Sequence, residues 1–288
     1  MRPVPPRLAL ESTLLLHGVP REVALTLADE LDRIATTNGA EPVLFGVAGS
    51  SRSASRELSR QALHGMLGAG ETTLKLNTAS LGAALSQGRA GATTVSSTME
   101  LAAAAGVRVF ATGGLGGVHK RLEQRLDIST DLLAFTRFPV AVVTAGCKSI
   151  LDVAGTREML ETLGVPVIGF RCDRFPAFYR RDGGEGVDAR FDEVEPLARF
   201  VRHELARTCR GVVVCNPIPV EHELSASEWS VWLAAAEREA AAAGATGREV
   251  TPAVLSALHH VSGGATLRAN IELVRHNVAV GARLAAAI

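Results

Sequence analysis

The chain has 288 residues, 47% of them hydrophobic, 21% charged and 4% aromatic. That composition supplies a large core and excludes a disordered chain. Thirty basic residues balance thirty acidic ones, which excludes the basic field of a nucleic-acid binder. No run of about 18 apolar residues marks a membrane span. The start, Met1-Arg2-Pro3-Val4-Pro5-Pro6, lacks a hydrophobic signal core, so a cytoplasmic protein is expected. Cys147, Cys172, Cys209 and Cys215 show no CxxC spacing. That argues against zinc and for a reduced setting.

In chain order, helical patterns and β-branched runs alternate. A helix over 97–105 precedes a strand over 107–111, which ends in Thr112-Gly-Gly-Leu-Gly-Gly117. A strand over 140–144 ends in Ala145-Gly-Cys-Lys148, with a helix over 149–163 behind it. A strand over 165–170 leads to a Gly-rich, charged excursion over 180–192. A helix over 194–208, a strand over 211–215 and a helix over 227–243 follow. A polar break over 244–251 precedes two final helices, the last over 267–288. Such alternation predicts an α/β fold with a mainly parallel sheet covered on both faces. Ligands then gather at the carboxyl ends of the strands, where the Gly-rich loop, the Lys148 turn and Asn216-Pro-Ile-Pro219 fall. Asn270 and Asn277, seven apart, share one face of the last helix, either solvated or functional. Trp229 and Trp232 are read as core packing.

Only three basic residues are lysine, Lys75, Lys120 and Lys148; the rest are arginine. With so much alanine, this looks like codon pressure from a GC-rich genome. Arginine supplies positive charge but no free amine, so surviving lysines are enriched in amine chemistry. Lys148, at the inner end of a buried strand, suits attack on a carbonyl. The alternative is a lysine neutralised by Asp152, four residues on.

Other groups carry chemistry less specifically. Thr112–His119 has neither the third glycine of a dinucleotide fingerprint nor the GK[ST] ending of a P-loop. Its backbone suits an anion. Asp127-Ile-Ser-Thr-Asp131 suits a hard divalent cation with a phosphate or sugar hydroxyl, or else simple helix capping. Glu11, among apolar residues and six before His17, is a proton donor or a surface carboxylate. Cys147 is read as packing.

These residues, taken together, resemble the pseudouridine-5'-phosphate glycosidase family. The likeness lies in Gly91-Ala-Thr-Thr-Val-Ser-Ser-Thr-Met99, Val109-Phe-Ala-Thr-Gly-Gly-Leu-Gly-Gly-Val-His119 and Asp127-Ile-Ser-Thr-Asp-Leu132. It continues in Ala145-Gly-Cys-Lys-Ser-Ile-Leu-Asp152, Gly164-Val-Pro-Val-Ile-Gly-Phe170, Phe175-Pro-Ala-Phe-Tyr179 and Asn216-Pro-Ile-Pro219. Ala9-Leu-Glu-Ser-Thr and His17-Gly18 fit as well. The match spans nearly the whole chain, so one domain over 1–288 is expected.

The resemblance implies a three-layer α/β/α fold, a homotrimer and a manganese-dependent, hydro-lyase-type C-glycosidase. The family reversibly joins ribose 5-phosphate to C5 of uracil. The resemblance makes Lys148 the nucleophile that forms an imine (Schiff base) with C1 of the opened sugar, and Glu11 the proton donor. It places Lys75, Val95, Ser129, Thr130 and Asp131 on substrate and Asp127 on the metal, with Thr112, His119 and Asn270 as further site members. Lys120 falls on a position where the family tolerates arginine and is read as surface. A C-glycosidic bond has no leaving oxygen to protonate, so the two-carboxylate glycosidase scheme does not apply and an imine carbon takes its place.

Two stretches depart from the family pattern. Leu76-Asn-Thr-Ala-Ser80 replaces a charged cluster, and Pro42-Val-Leu-Phe45 is larger and more apolar. Read as a pocket wall, they predict a planar aromatic acceptor in place of uracil. That would put the chain in the family's divergent branch, the C-ribosylating synthases of alnumycin-type antibiotic biosynthesis. An ordinary pseudouridine-5'-phosphate glycosidase is the alternative reading, and an inactive binding protein of the same fold a third.

Overall fold

The computed structural model describes residues 5–48, 55–120, 126–244 and 250–288. Met1–Val4 and the interior of the polar break over 244–251 lie outside them. The chain runs through β1 (Arg7–Glu11), α1 (Arg21–Thr37), β2 (Glu41–Ala48), β3 (Ser55–Glu57), α2 (Arg60–Ala69), β4 (Leu74–Leu76), α3 (Thr78–Gln87) and β5 (Gly91–Thr93). It continues through α4 (Val95–Ala104), β6 (Val109–Ala111), α5 (Thr130–Ala134), β7 (Ala141–Thr144), α6 (Val153–Thr162), β8 (Val167–Phe170) and β9 (Ala189–Phe191). The last elements are α7 (Val194–Thr208), β10 (Val212–Cys215), α8 (Ala226–Ala242), α9 (Val250–Val261) and α10 (Ala265–Ala287).

The strands form one sheet in the order β4-β5-β2-β1-β6-β7-β10-β8-β9, with β3 beside β2. Pairing is parallel except where β2 meets β5 and β3. Successive side chains on a strand point to opposite faces, and the core divides accordingly. Leu8, Leu10, Val109, Ala111, Val143 and Val214 pack in one cluster with Leu27 and Leu31 of α1, Val201 of α7 and Val274 and Val278 of α10. Ala9, Phe45, Phe110, Val142 and Val213 pack in the other with Met99 of α4 and Leu160 of α6. This is the expected three-layer α/β/α arrangement. Helix α10 lies so close to the sheet that a Cβ on Gly281 would come within 3.0 Å of Leu8 and 3.1 Å of Ala111.

Helix α7 begins and ends where its pattern predicts. Helix α6 starts at Val153, four residues later than expected, because the Asp152 side chain accepts from Gly155 N and caps it. The excursion over 180–192 is largely exposed but ends in β9 and is pinned by buried Arg157. That guanidinium donates to Gly186 O and Asp188. Trp229 and Trp232 are packed, half-buried, against the core and the small α8–α9 cluster. No helix among the described residues is long and apolar enough to cross a membrane.

One sequence expectation, the apolar pocket wall over 42–45, is corrected here. Val43, Leu44 and Phe45 are buried in the two core clusters; β2 lies mid-sheet, so its apolar side chains fill the protein interior and line no acceptor pocket. Asn77 and Ser80 form a reciprocal capping box at the start of α3. Their polarity therefore serves the helix terminus.

Candidate active site

Three strand ends carry the chemistry. Glu11 closes β1, Thr112 follows β6, and Lys148 follows β7. The Gly-rich loop and the Lys148 turn prolong the ladder beyond the strands. Thr112 N donates to Val143 O at 3.0 Å, Ala145 N to Gly113 O at 3.0 Å, Leu115 N to Gly146 O at 2.9 Å, and Lys148 N to Leu115 O at 3.1 Å. The turn is backed by Phe175–Tyr179. Gly146 has φ +80° and faces Pro176 O at a distance that forbids any side chain. Phe178 is a bulky residue at φ 57°, a conformation that persists only where surroundings enforce it. Its N–H donates to Ala145 O at 2.8 Å, and its ring fills the space above Gly114.

The Thr112 hydroxyl donates a short hydrogen bond to Glu11. Burial pushes the Glu11 carboxyl above its ordinary range, against the pull of Lys148, Thr112 and Lys75. Burial, then Lys148, push the Lys75 ammonium down, while Glu11 and Asp131 oppose this. Lys75 is nonetheless exposed and Glu11 only half-buried. Groups that keep solvent access while hemmed in by protein sit on the wall of a cleft. Neither Lys75 nor Lys148 has an ion pair or side-chain hydrogen bond among the described residues. Asp152 is occupied as the α6 cap, so it does not neutralise Lys148. His17, exposed beside Leu74 and Lys75, is held towards its neutral form by burial and by the Lys75 charge.

Asp131 is buried, and its carboxylate accepts from Ser96 N at 3.0 Å and Gly116 N at 2.9 Å. It thus ties the Gly-rich loop to the start of α4. Ser129 caps α5 through Asp131 N, and the Thr130 hydroxyl meets that of Ser96 at 3.0 Å. The Val95 side chain is in the core, so any ligand contact there falls to its own main-chain N–H, the next one, of Ser96, being taken by Asp131. Ser96 was not foreseen; its only sequence signal is its place in the Gly91–Met99 run. Burial holds the Cys147 thiol up to about 12, which leaves it a packing group.

Asp127 and His119 lie side by side, His119 N donating to Asp127 O at 3.0 Å. The Asp127 carboxylate has no hydrogen bond or ion pair among the described residues. No three His, Cys, Asp or Glu side chains gather there or elsewhere among those residues. One free carboxylate fits a hard, water-rich cation and not a protein cage. Asn270 is buried with Oδ1 unpartnered, and a Cβ on Gly113 would lie 3.3 Å from that oxygen. Asn277 is fully buried too, so the shared face of these asparagines is not a solvated one. Lys120 is exposed.

Residues 2–287 match the model of the family described as Indigoidine synthase A like protein. A pseudouridine-5'-phosphate glycosidase of Methylobacterium nodulans is 45% identical over 285 residues, covering 98% of this chain and 83% of its own. One from Symbiobacterium thermophilum is 43% identical, covering 98% and 92%. Among solved structures, an indigoidine synthase A-like protein of Thermotoga maritima superposes with a TM-score of 0.88 at 33% identity, covering 98% and 92%. The prealnumycin C-glycosynthase AlnA, solved with ribulose 5-phosphate, gives 0.88 at 33%, covering 98% and 91%.

Proposed function

This chain belongs to the pseudouridine-5'-phosphate glycosidase family, described as indigoidine synthase A like, and from that premise we propose that it makes and breaks the C–C bond between C1 of ribose 5-phosphate and C5 of uracil. The observation that carries the reading is the meeting of Lys148 and Glu11 at neighbouring strand ends. An amine with no ion pair among the described residues, Lys148, stands with a carboxyl held towards its protonated form, Glu11. In the synthetic direction the Lys148 amine condenses with the C1 aldehyde of the opened sugar and expels water. Uracil C5 adds to the imine carbon and loses its proton. Closure by the O4 hydroxyl then releases the amine; cleavage is the reverse, with Glu11 moving the proton.

The main-chain start of α4 with Ser129, Thr130 and Lys75 receives the phosphate-bearing sugar, and Asp131 fixes that wall from behind. Thr112 sets Glu11, and Asn270 presents its free oxygen beneath the Gly-rich loop. Asp127, with His119 beside it, would hold a manganese-type ion through one carboxylate and water, and such an ion would neutralise negative charge on the substrate.

Uracil is preferred to a planar aromatic acceptor on two grounds. The apolar residues that suggested an aromatic pocket are core, and the relatives carrying the uracil activity in their name are 45% and 43% identical against 33% for the C-glycosynthase. The test is product mass spectrometry with ribose 5-phosphate and either uracil or planar phenols. Pseudouridine 5'-phosphate as the main product is expected; a C-ribosylated phenol in its place would overturn the uracil reading.

A further inference from the structure

The Asn216-Pro-Ile-Pro219 loop and Asn277 take no part in the reading above, yet they are joined to it by an unbroken line of hydrogen bonds. Asn277 Nδ2 donates to Thr112 O at 2.7 Å and leans on Gly113 O at 3.4 Å. With both N–H bonds committed to carbonyls, its Oδ1 faces the other way and accepts from Asn216 Nδ2 at 2.9 Å. The second hydrogen of that Asn216 amide points to His276 Nδ1 at 3.2 Å. Both asparagines are buried, where an unmade hydrogen bond is costly, so each link fixes the next.

We propose that Asn277, Asn216 and His276 form a positioning relay that holds the Thr112 main chain, and through it the Thr112 hydroxyl, against Glu11. The proposal rests on Glu11 being the proton donor. Helix α10 supplies two members and the loop after β10 the third, so the relay fastens the last helix to the site from outside the cleft. Its outer end is open. His276 lines a groove of about 400 Å³ with Arg33, Glu272 and Arg275, apart from every expected site residue. The His276 ring nitrogen has two neighbours, the Asn216 amide and Pro217 O, the latter at 3.2 Å. As an acceptor it completes the relay; as a donor it turns to Pro217 and leaves the Asn216 amide short of a partner.

The relay acts on Glu11 through one hydroxyl, so a double-mutant cycle isolates it. Asn277→Ser is expected to lower kcat for pseudouridine 5'-phosphate cleavage roughly 10- to 100-fold, the effect of a small misplacement at a reacting group. In a Thr112→Val background the same change should cost less than about twofold, because the path is already cut. His276→Gln, which can still accept from Asn216, should lose less than His276→Leu. If Asn277→Ser does not fold, Asn216→Ser replaces it in the same cycle.

A second readout needs no substrate. The Glu11 carboxyl, followed by 13C NMR and assigned with Glu11→Gln, should titrate roughly half a pH unit higher in Asn277→Ser, since a bond favouring its charged form is weakened. That rise should vanish in the Thr112→Val background. Additive losses in kcat with an unmoved Glu11 midpoint would overturn the relay. Should the wild type not process pseudouridine 5'-phosphate, the uracil reading fails, and the midpoint cycle alone still decides the relay.

Discussion

The cleft and the periphery use positive charge in opposite ways. At the periphery, several arginines each bind two carboxylates. Arg60 meets Asp29 and Asp32, Arg190 meets Asp173 and Asp192, and Arg275 meets Glu30 and Glu272. In the cleft, Lys75 and Lys148 stand near each other and, among the described residues, without an ion pair. A guanidinium serves where charge is to be neutralised; an amine left unpaired serves where it must react. The scarcity of lysine in the sequence and the isolation of two of them in the fold are one fact seen twice.

The sharpest way to break that comparison is to erase the difference at Lys148. Lys148→Arg keeps the charge and removes the amine, and kcat is expected to fall by at least roughly 1,000-fold with the fold intact. Borohydride with ribose 5-phosphate should add a sugar-phosphate mass at Lys148 in the wild type only. An active arginine variant would show that the cleft needs charge and nothing more.

Glu11 comes next. Its carboxyl is held above its ordinary range by burial, so the proton is present below that raised value and is lost as pH rises through it. The step that needs a donor should therefore weaken on the alkaline side of the raised value. Glu11→Gln should lower kcat roughly 100- to 10,000-fold and abolish that limb of the pH profile. At Asp127, chelation or Asp127→Asn should give a smaller loss, with activity of the chelated wild type restored by manganese. Unchanged activity in verified metal-free protein would remove the ion from the reaction.

The sequence made the centre of the sheet legible and its flank obscure, for a physical reason. β6, β7, β8 and β10 are buried on both faces and lie in short, almost wholly apolar runs. β4 (Leu-Lys-Leu), β5 (Gly-Ala-Thr) and β9 (Ala-Arg-Phe) are as short as β6, but a charged or small residue interrupts each, so neither an apolar run nor a period marks them. By composition Pro42–Phe45 of β2 is equally a buried strand or an apolar pocket wall; only its neighbours in the sheet tell the two apart. In the site, Glu11, Lys75 and Lys148 stood out because their residue types are chemically distinctive. Asp131 accepts from two backbone amides, a task that sequence alone cannot tell from contact with a ligand. The sequence places Asn216 at a strand end and Asn277 on one helix face with Asn270; that the two amides meet shows only in the fold.

Glu11 also links function to stability. A carboxyl whose folded value is raised binds protons more tightly folded than unfolded. Its penalty on the folded state is absent below the unfolded value and grows as pH rises through the folded one. Glu11→Gln removes that penalty, so Tm should rise by a few degrees at alkaline pH, and the gain should shrink to nothing on acidification. A gain equal at all pH would place its origin in packing, not in charge.

The smallest expected effect lies at the periphery, and it separates paired from useful arginines. Arg157 is nearly buried and holds Gly186 O, Asp188 and, at 3.4 Å, Glu161. Asp188 in turn accepts from Val167 N at 2.7 Å, fastening β8 to the excursion. Arg157→Lys cannot span these partners and should cost about 1–3 kcal/mol, because it leaves a buried ammonium with fewer hydrogen bonds than the guanidinium made. Arg190 makes contacts of similar number, to Asp173 and Asp192, but all three side chains are largely exposed. Water screens such pairs and replaces them on removal. Arg190→Lys should therefore leave both Tm and kcat unchanged, in low salt and high. If it destabilises as much as Arg157→Lys, then outer ion pairs carry weight of their own, and the contrast between cleft and periphery narrows to reactivity alone.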